Sequence, residues 1–203
     1  DYQSTLKAIF GAITYAKKKG YNYVVFPKMK FYASAYSTGL HYYVPSNMTI
    51  VFPKGSELHM MYPKNLPNGV SASDATKCEF HIFEFGVPAN DYTNRCENSN
   101  LIIDTYYGER YEDYISNGFI NEDKYIEEYR FVEFGRKAYN CSVQINNANY
   151  TAGYFITADG TSSEVNSSEG VIKYGDMVKG HLDKNGNLAK STYWISTNRF
   201  IKI

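Results

Sequence analysis

The feature that most constrains this chain is a series of short apolar runs that are hydrophobic at successive positions. They are YVVF at 23–26, TIVF at 49–52, FHIFEF at 80–85, LIID at 101–104 and RFVEF at 130–134. SVQI, GYFIT and VIKY follow at 142–145, 153–157 and 171–174. The principal runs recur at roughly 22 to 30 residues, the spacing of stacked repeat units, although no strict sequence repeat accompanies them. Between them lie turn clusters such as VPSN, LPNG, ENSN and NNAN. An antiparallel sandwich calls for tight hairpins and strict in/out alternation, and neither is written here. A parallel solenoid accommodates the pattern better, because each turn of such a coil buries its inner face only against its neighbours.

A solenoid needs its open end covered against edge pairing. STLKAIFGAITYAKKKG, residues 4–20, supplies an amphipathic helix for that purpose, with Leu6, Ile9, Ile13 and Ala16 on one face. Ser4 or Thr5 is placed to cap its start, Lys17 to Lys19 suit the negative end of its dipole, and Gly20 ends it. A weaker helical signal lies near Tyr111 to Ile115.

The 203 residues are enough for a sizeable core, and 21 basic residues balance 21 acidic ones. That balance gives no electrostatic reason to bind nucleic acid or an anionic membrane. No apolar run approaches the length of a membrane helix, and the opening DYQSTLK lacks a basic start followed by an apolar signal segment, as in a mature or excised chain. Cys78, Cys96 and Cys141 are odd in number and lack CxxC spacing, so all three are expected free, with one disulfide at most. His41, His59, His81 and His181 show no HxH or HExxH spacing, so neither a histidine metal site nor any cofactor is expected. The 21 tyrosines suit a surface that stacks on sugars or partner chains, and strand propensity is the competing explanation. Asn47, Asn140, Asn149 and Asn166 each open an N-x-S/T triplet, which composition alone supplies readily.

AIFGAITYAKKKGYNYVVFPKMKFYA, followed by YVPSNMTIVFPKGSEL, resembles the opening of the pectate-lyase-like right-handed β-helix superfamily, in particular bacteriophage tailspike and appendage (tail fibre) proteins. RFVEFGRKAYNCSVQINNANYTAGYFIT is similar to a rung of that family with an asparagine-rich corner. The resemblance spans about residues 4–158 and departs from the family in the KMKF turn, where a glycine is usual; the second copy keeps Gly55. It implies an all-β right-handed parallel β-helix with an N-terminal capping helix (1–20), a β-helix domain (21–175) and a C-terminal β segment (176–203). That last segment carries the hairpin signal DKNGN and is similar to the start of a β-sandwich module; a final rung with a hairpin edge is the alternative. The implied setting is a virion tail, or otherwise the cell exterior. The implied partners are a host cell-surface glycan or wall polymer, two further copies in a homotrimer, and other virion proteins, with neither nucleic acid nor membrane.

Cleavage of polysaccharide on such a scaffold needs a proton donor and a base or nucleophile several ångströms apart, roles that carboxylates fill. The densest acidic patch is IIDTYYGERYEDY at 102–114. Asp104, Glu109 and Asp113 are its candidate catalytic residues, and Tyr106, Tyr107, Arg110, Tyr111 and Tyr114 its candidate sugar contacts. A solvated loop or short helix explains the same residues. In CEFHIFEF, two-residue alternation puts Glu79, His81, Phe83 and Phe85 on one face and Phe80, Ile82 and Glu84 on the other. A Glu79–His81 pair is then either acid–base machinery or ordinary solvent-facing polarity. Three functions stay open: a virion recognition protein, a glycan hydrolase or lyase on the same surface, and a bacterial secreted or surface pectate-lyase-like enzyme.

Overall fold

The computed structural model describes residues 2–34, 40–60, 80–88, 90–108, 129–135, 137–151, 156–158, 170–180 and 201–202. One helix, α1 (Tyr2–Lys18), precedes a series of strands. The main sheet runs β1 (Tyr23–Val25), β4 (Thr49–Met60), β7 (Asn100–Tyr107), β10 (Cys141–Thr151), β12 (Gly170–Gly180) and β13 (Ile201–Lys202), with β2 (Lys30–Ala33) also on β4. A second sheet runs β3 (Leu40–Tyr43), β5 (Phe80–Phe85), β8 (Tyr129–Phe134) and β11 (Ile156–Ala158). A third pairs β6 (Cys96–Glu97) with β9 (Ala138–Tyr139). Among the described residues every strand pairing is parallel except β12 with β13. The described residues are therefore mostly parallel β-sheet behind one helix, as the unalternating apolar runs predict. From β4 to β10 the chain visits the main, second and third sheets in turn, so neighbours in each sheet lie one circuit apart in sequence.

The two VFPK copies lie on adjacent strands in register, Val24 against Ile50 and Val25 against Val51. Phe26 donates its N–H to the Val51 carbonyl at 2.9 Å, and its ring stacks on Phe52 at 4.6 Å. Phe31 meets both rings edge-on, at 5.8 and 5.3 Å. After each phenylalanine comes a proline, which has no ladder donor to lose where the chain turns out of the sheet. The second corner is longer: Pro53 to Ser56 bulge between Phe52 and Glu57, opposite the single residue Asp104 of β7. Gly55 sits there at φ +84°, and an added Cβ would meet Lys28 Cε at 2.4 Å. The Lys28 stem of the first corner thus fills the space that Gly55 of the second leaves open.

α1 packs on β1 and β2 and buries Leu6, Ile9, Phe10, Ile13 and Ala16. Phe10 reaches Tyr42 of β3 and Phe83 of β5, at 4.7 and 5.0 Å, so the helix covers the first strands of both large sheets. Its C-terminus closes through Tyr21 N–H to Ala16 O and Gly20 N–H to Lys17 O, with Gly20 at φ +81°. The helix begins at Tyr2, so Ser4 and Thr5 lie within it rather than capping it.

The corners before β4, β7 and β10 each place an asparagine in the left-handed region: Asn47, Asn98 and Asn140, at φ 56°, 55° and 47°. Asn98 Nδ2 donates to Asn47 Oδ1 at 3.1 Å and Asn140 Nδ2 to Asn98 Oδ1 at 2.7 Å. Asparagine tolerates this backbone better than other side-chain-bearing residues, and stacking lets each amide satisfy the next. Beside this ladder Cys96 and Cys141 are buried and free, with Sγ atoms 3.9 Å apart. The contact with Cys141, and then burial, hold the Cys96 thiol above its ordinary range, so it is no nucleophile at neutral pH. Cys78 and the helical signal at 111–115 lie outside the described residues. β12 runs from Gly170 to Gly180, through the boundary expected at 176, and pairs with β10 on both sides of it.

Candidate functional site

Sequence reasoning pointed to the segment that begins in β7. Asp104 is half-buried opposite the Pro53–Ser56 corner, where its Oδ2 accepts the Gly55 N–H at 2.8 Å and its Oδ1 accepts Asn146 Nδ2 at 3.2 Å. Both oxygens thus brace neighbouring strands. Tyr106 points inward, 1% exposed, with its ring 4.4 Å from Phe131, so it lies in the core and not on a sugar-stacking surface. Tyr107 points outward. Its ring stacks on His59 at 4.7 Å, and His59 stacks on Tyr32 at 4.7 Å, forming a column of three rings on the outer face of the main sheet. Glu57 lies beside the column and bonds His59 Nε2 at 2.7 Å and Lys30 Nζ at 3.1 Å. The His59 hydrogen bond is the largest influence holding the Glu57 carboxyl below its usual range. Glu109, Arg110, Tyr111, Asp113 and Tyr114, the rest of the predicted site, lie outside the described residues, as does Glu79.

The second sheet carries a cluster that the sequence reading did not assemble. HIFEFG (81–86) and RFVEFG (130–135) lie on adjacent strands, with His81 opposite Arg130, Phe83 opposite Val132 and Glu84 opposite Glu133. Strict alternation fails here. The pairing of β5 with β3 slips between His41 and Tyr43, so three steps on β5 match two on β3. Ile82 and Phe83 both enter the core, while His81 and Glu84 share a set of polar partners. Glu84 therefore joins His81, correcting the assignment of those two residues to opposite faces.

His41 Nδ1 meets Glu84 Oε2 at 2.5 Å, His81 Nδ1 meets Glu133 Oε2, and His81 Nδ1 also lies 3.9 Å from Glu84 Oε2. The two imidazoles stack at 4.1 Å, and the Tyr43 ring lies parallel to His41 at 5.6 Å. Glu84 and Glu133 are 6% and 3% exposed, whereas the His41 side chain is 35% exposed on the edge strand. Burial first, then the charges of Glu84 and Glu133, push the Tyr43 phenol up to about 12. Gly135 leaves room for the cluster, since a Cβ there would stand 3.1 Å from Glu84 Oε1. Chemically this is a relay of imidazoles and carboxylates able to exchange protons. Among the described residues, His41, His81 and Glu84 are also the group whose donor atoms come close enough together to share a cation. In the sequence the cluster was hidden by separations of 43 and 52 residues. The doubled EFG after an aromatic run was its one visible sign.

The geometry defines the class of protein, mostly parallel β-sheets behind an N-terminal helix, with a column of rings on the outer face of the main sheet and a largely buried histidine–glutamate cluster on the second. Comparison with known protein families, with characterised proteins and with solved structures finds no match to the chain.

Proposed function

We propose that this chain is a right-handed parallel β-helix of the bacteriophage tailspike or appendage kind that recognises carbohydrate on the host cell surface. The observation that carries the reading is the outer column Tyr32–His59–Tyr107. Tyr32 is 42% exposed, and β7 leads from Tyr107 directly into the acid- and tyrosine-rich segment that holds Glu109, Arg110, Tyr111, Asp113 and Tyr114. Rings beside a carboxylate and an amine offer both apolar faces and hydrogen-bonding groups to a sugar. The His41–His81–Glu84–Glu133 cluster is a poorer polymer site, because its carboxylates are almost wholly buried. Parallel rungs and a covered N-terminal end support the β-helix reading, and the resemblance supports a homotrimer on a virion tail beside other virion proteins.

Binding of the purified chain to host wall polymer, measured by co-sedimentation, tests the proposal. Tyr107→Ala and Tyr32→Ala are expected to weaken binding several-fold without lowering the melting temperature much; unchanged binding in both removes the ring column as the site. Light scattering tests the assembly, and a monomer at micromolar concentration counts against the trimer. A second reading, a hydrolase or lyase, is favoured by Asp104 lying at the head of the acidic segment. Release of reducing ends or glycerol phosphate that is lost in Asp104→Ala and Glu109→Ala would establish it, whereas binding without release returns the chain to recognition alone.

A further inference from the structure

We propose that His41, His81 and Glu84 bind one divalent transition-metal ion of the zinc class in the largely buried cluster beside the second sheet. The inference stands apart from the carbohydrate reading and uses other residues.

Three observations carry it. The donors come from two rungs and are brought together by backbone register: β3 pairs with β5 at His41 and His81, and the local slip returns Glu84 to their side. One ligand atom from each, an imidazole nitrogen of each histidine and a Glu84 carboxylate oxygen, all lie within 4.8 Å of one another. A tetrahedral ion with bonds of about 2.0–2.2 Å sets its ligands roughly 3.3–3.6 Å apart. The separations from Glu84 Oε2, 2.5 Å to His41 and 3.9 Å to His81, lie on either side of that value, so small side-chain rotations reach it. The donor set is also selective. Two imidazoles and a carboxylate suit zinc and its neighbours, whereas calcium and magnesium favour shells made wholly of oxygen.

The surroundings fit an ion site. Glu133, hydrogen-bonded to His81 Nδ1, is placed to become a fourth ligand. The partly exposed His41 on the edge strand gives an ion a route inward. Tyr43, whose ring lies parallel to that of His41, packs the wall of the site. In the metal-free state the protons on the imidazole Nδ1 atoms bridge to the carboxylates. On binding, the ion takes the place of the Nδ1 proton, which passes to Nε2 of a neutral ring or leaves to solvent from a protonated one.

The test is titration of zinc into the full, tag-free chain by calorimetry, with metal content measured after dialysis. The expected result is one ion per chain with an affinity of micromolar or tighter. His41→Ala and Glu84→Gln should each weaken it at least tenfold, and Tyr43→Phe should leave it unchanged. Cobalt bound to the unmodified chain should give visible absorption typical of nitrogen and oxygen ligation, a readout that does not depend on any variant folding. Excess calcium should not displace either ion. Absence of saturable zinc binding, full affinity in a folded His41→Ala variant, or displacement by calcium would each overturn the proposal.

Discussion

On the outer face of the main sheet, Thr49, Asn100 and Ser142 stand in one column and pass neutral hydrogen bonds from strand to strand. Asn100 Nδ2 reaches Thr49 Oγ at 3.3 Å and Ser142 Oγ reaches Asn100 Oδ1 at 2.6 Å. On the second sheet the equivalent stacking brings together ionisable groups, His41 over His81 and Glu84 beside Glu133. Both columns arise from the same parallel register, which sets like positions above one another. An amide or hydroxyl column satisfies itself, because each group both donates and accepts. A carboxylate only accepts, and two carboxylates in adjacent strands must share a proton or a cation. The main sheet's column is thus a brace, and the second sheet's is a place where chemistry can be held.

That contrast can be broken from the largest effect downward. Phe52 lies between the two faces, stacked on Phe26 and edge-on to Phe83 at 6.4 Å. Phe52→Ala should therefore lower stability by about 3–5 kcal/mol in urea unfolding and loosen both columns together. If only one sheet responds, the two do not share a core.

The next effect separates the columns. Glu133→Ala empties a buried acceptor beside His81 and should destabilise by about 1–3 kcal/mol, whereas Ser142→Ala in the neutral column should stay under about 1 kcal/mol. Equal losses in thermal melts would show that ionisable and neutral stacking are alike here.

The asparagine corner sharpens the neutral side. Asn98→Ala removes the middle rung of the amide ladder and leaves the left-handed backbone to a side chain without the amide that helps asparagine tolerate it, an expected loss of about 1–2 kcal/mol. Asn98→Gly restores the backbone freedom and isolates the amide's own share. If the glycine variant is as unstable as the alanine one, the hydrogen bonds carry the whole effect.

The smallest effect is one of pH. Asp91 accepts the Asn94 and Thr93 N–H groups, and these bonds, Asn94's first, pull its carboxyl down to about 2. A carboxyl lowered on folding contributes stability that is full above its unfolded value of 3.8 and fades as pH falls toward about 2. Asp91→Asn should remove that part of the acid slope, read by melting temperature between those limits. An unchanged slope would show that the Asp91 turn contributes nothing measurable to stability in acid.

Much of the architecture was legible in local sequence because local physics writes it. Three- and four-residue apolar spacing marks α1, a glycine ends it, and apolar runs without hairpin turns call for parallel strands. The doubled VFPK could be placed on successive rungs because a phenylalanine–proline pair suits an inner strand that leaves its sheet. Asp104 and Tyr107 were recognised as polar and aromatic neighbours in sequence, but which of Tyr106 and Tyr107 faces solvent waited on the strand's phase.

The sequence by itself determined the all-β class, the helix at the start and the corners where the chain must turn, since each rests on contacts within a few residues. Only the tertiary structure decided the histidine–glutamate cluster. Its members lie on three strands far apart along the chain, and one slipped residue in β5 turns Glu84 to the side of His81. Register is a property of paired strands, so no single segment carries it; one step along a strand moves a side chain from core to surface. For the same reason the candidate metal site follows from how the strands stack, while the ring column begins with a tyrosine that the sequence had already singled out.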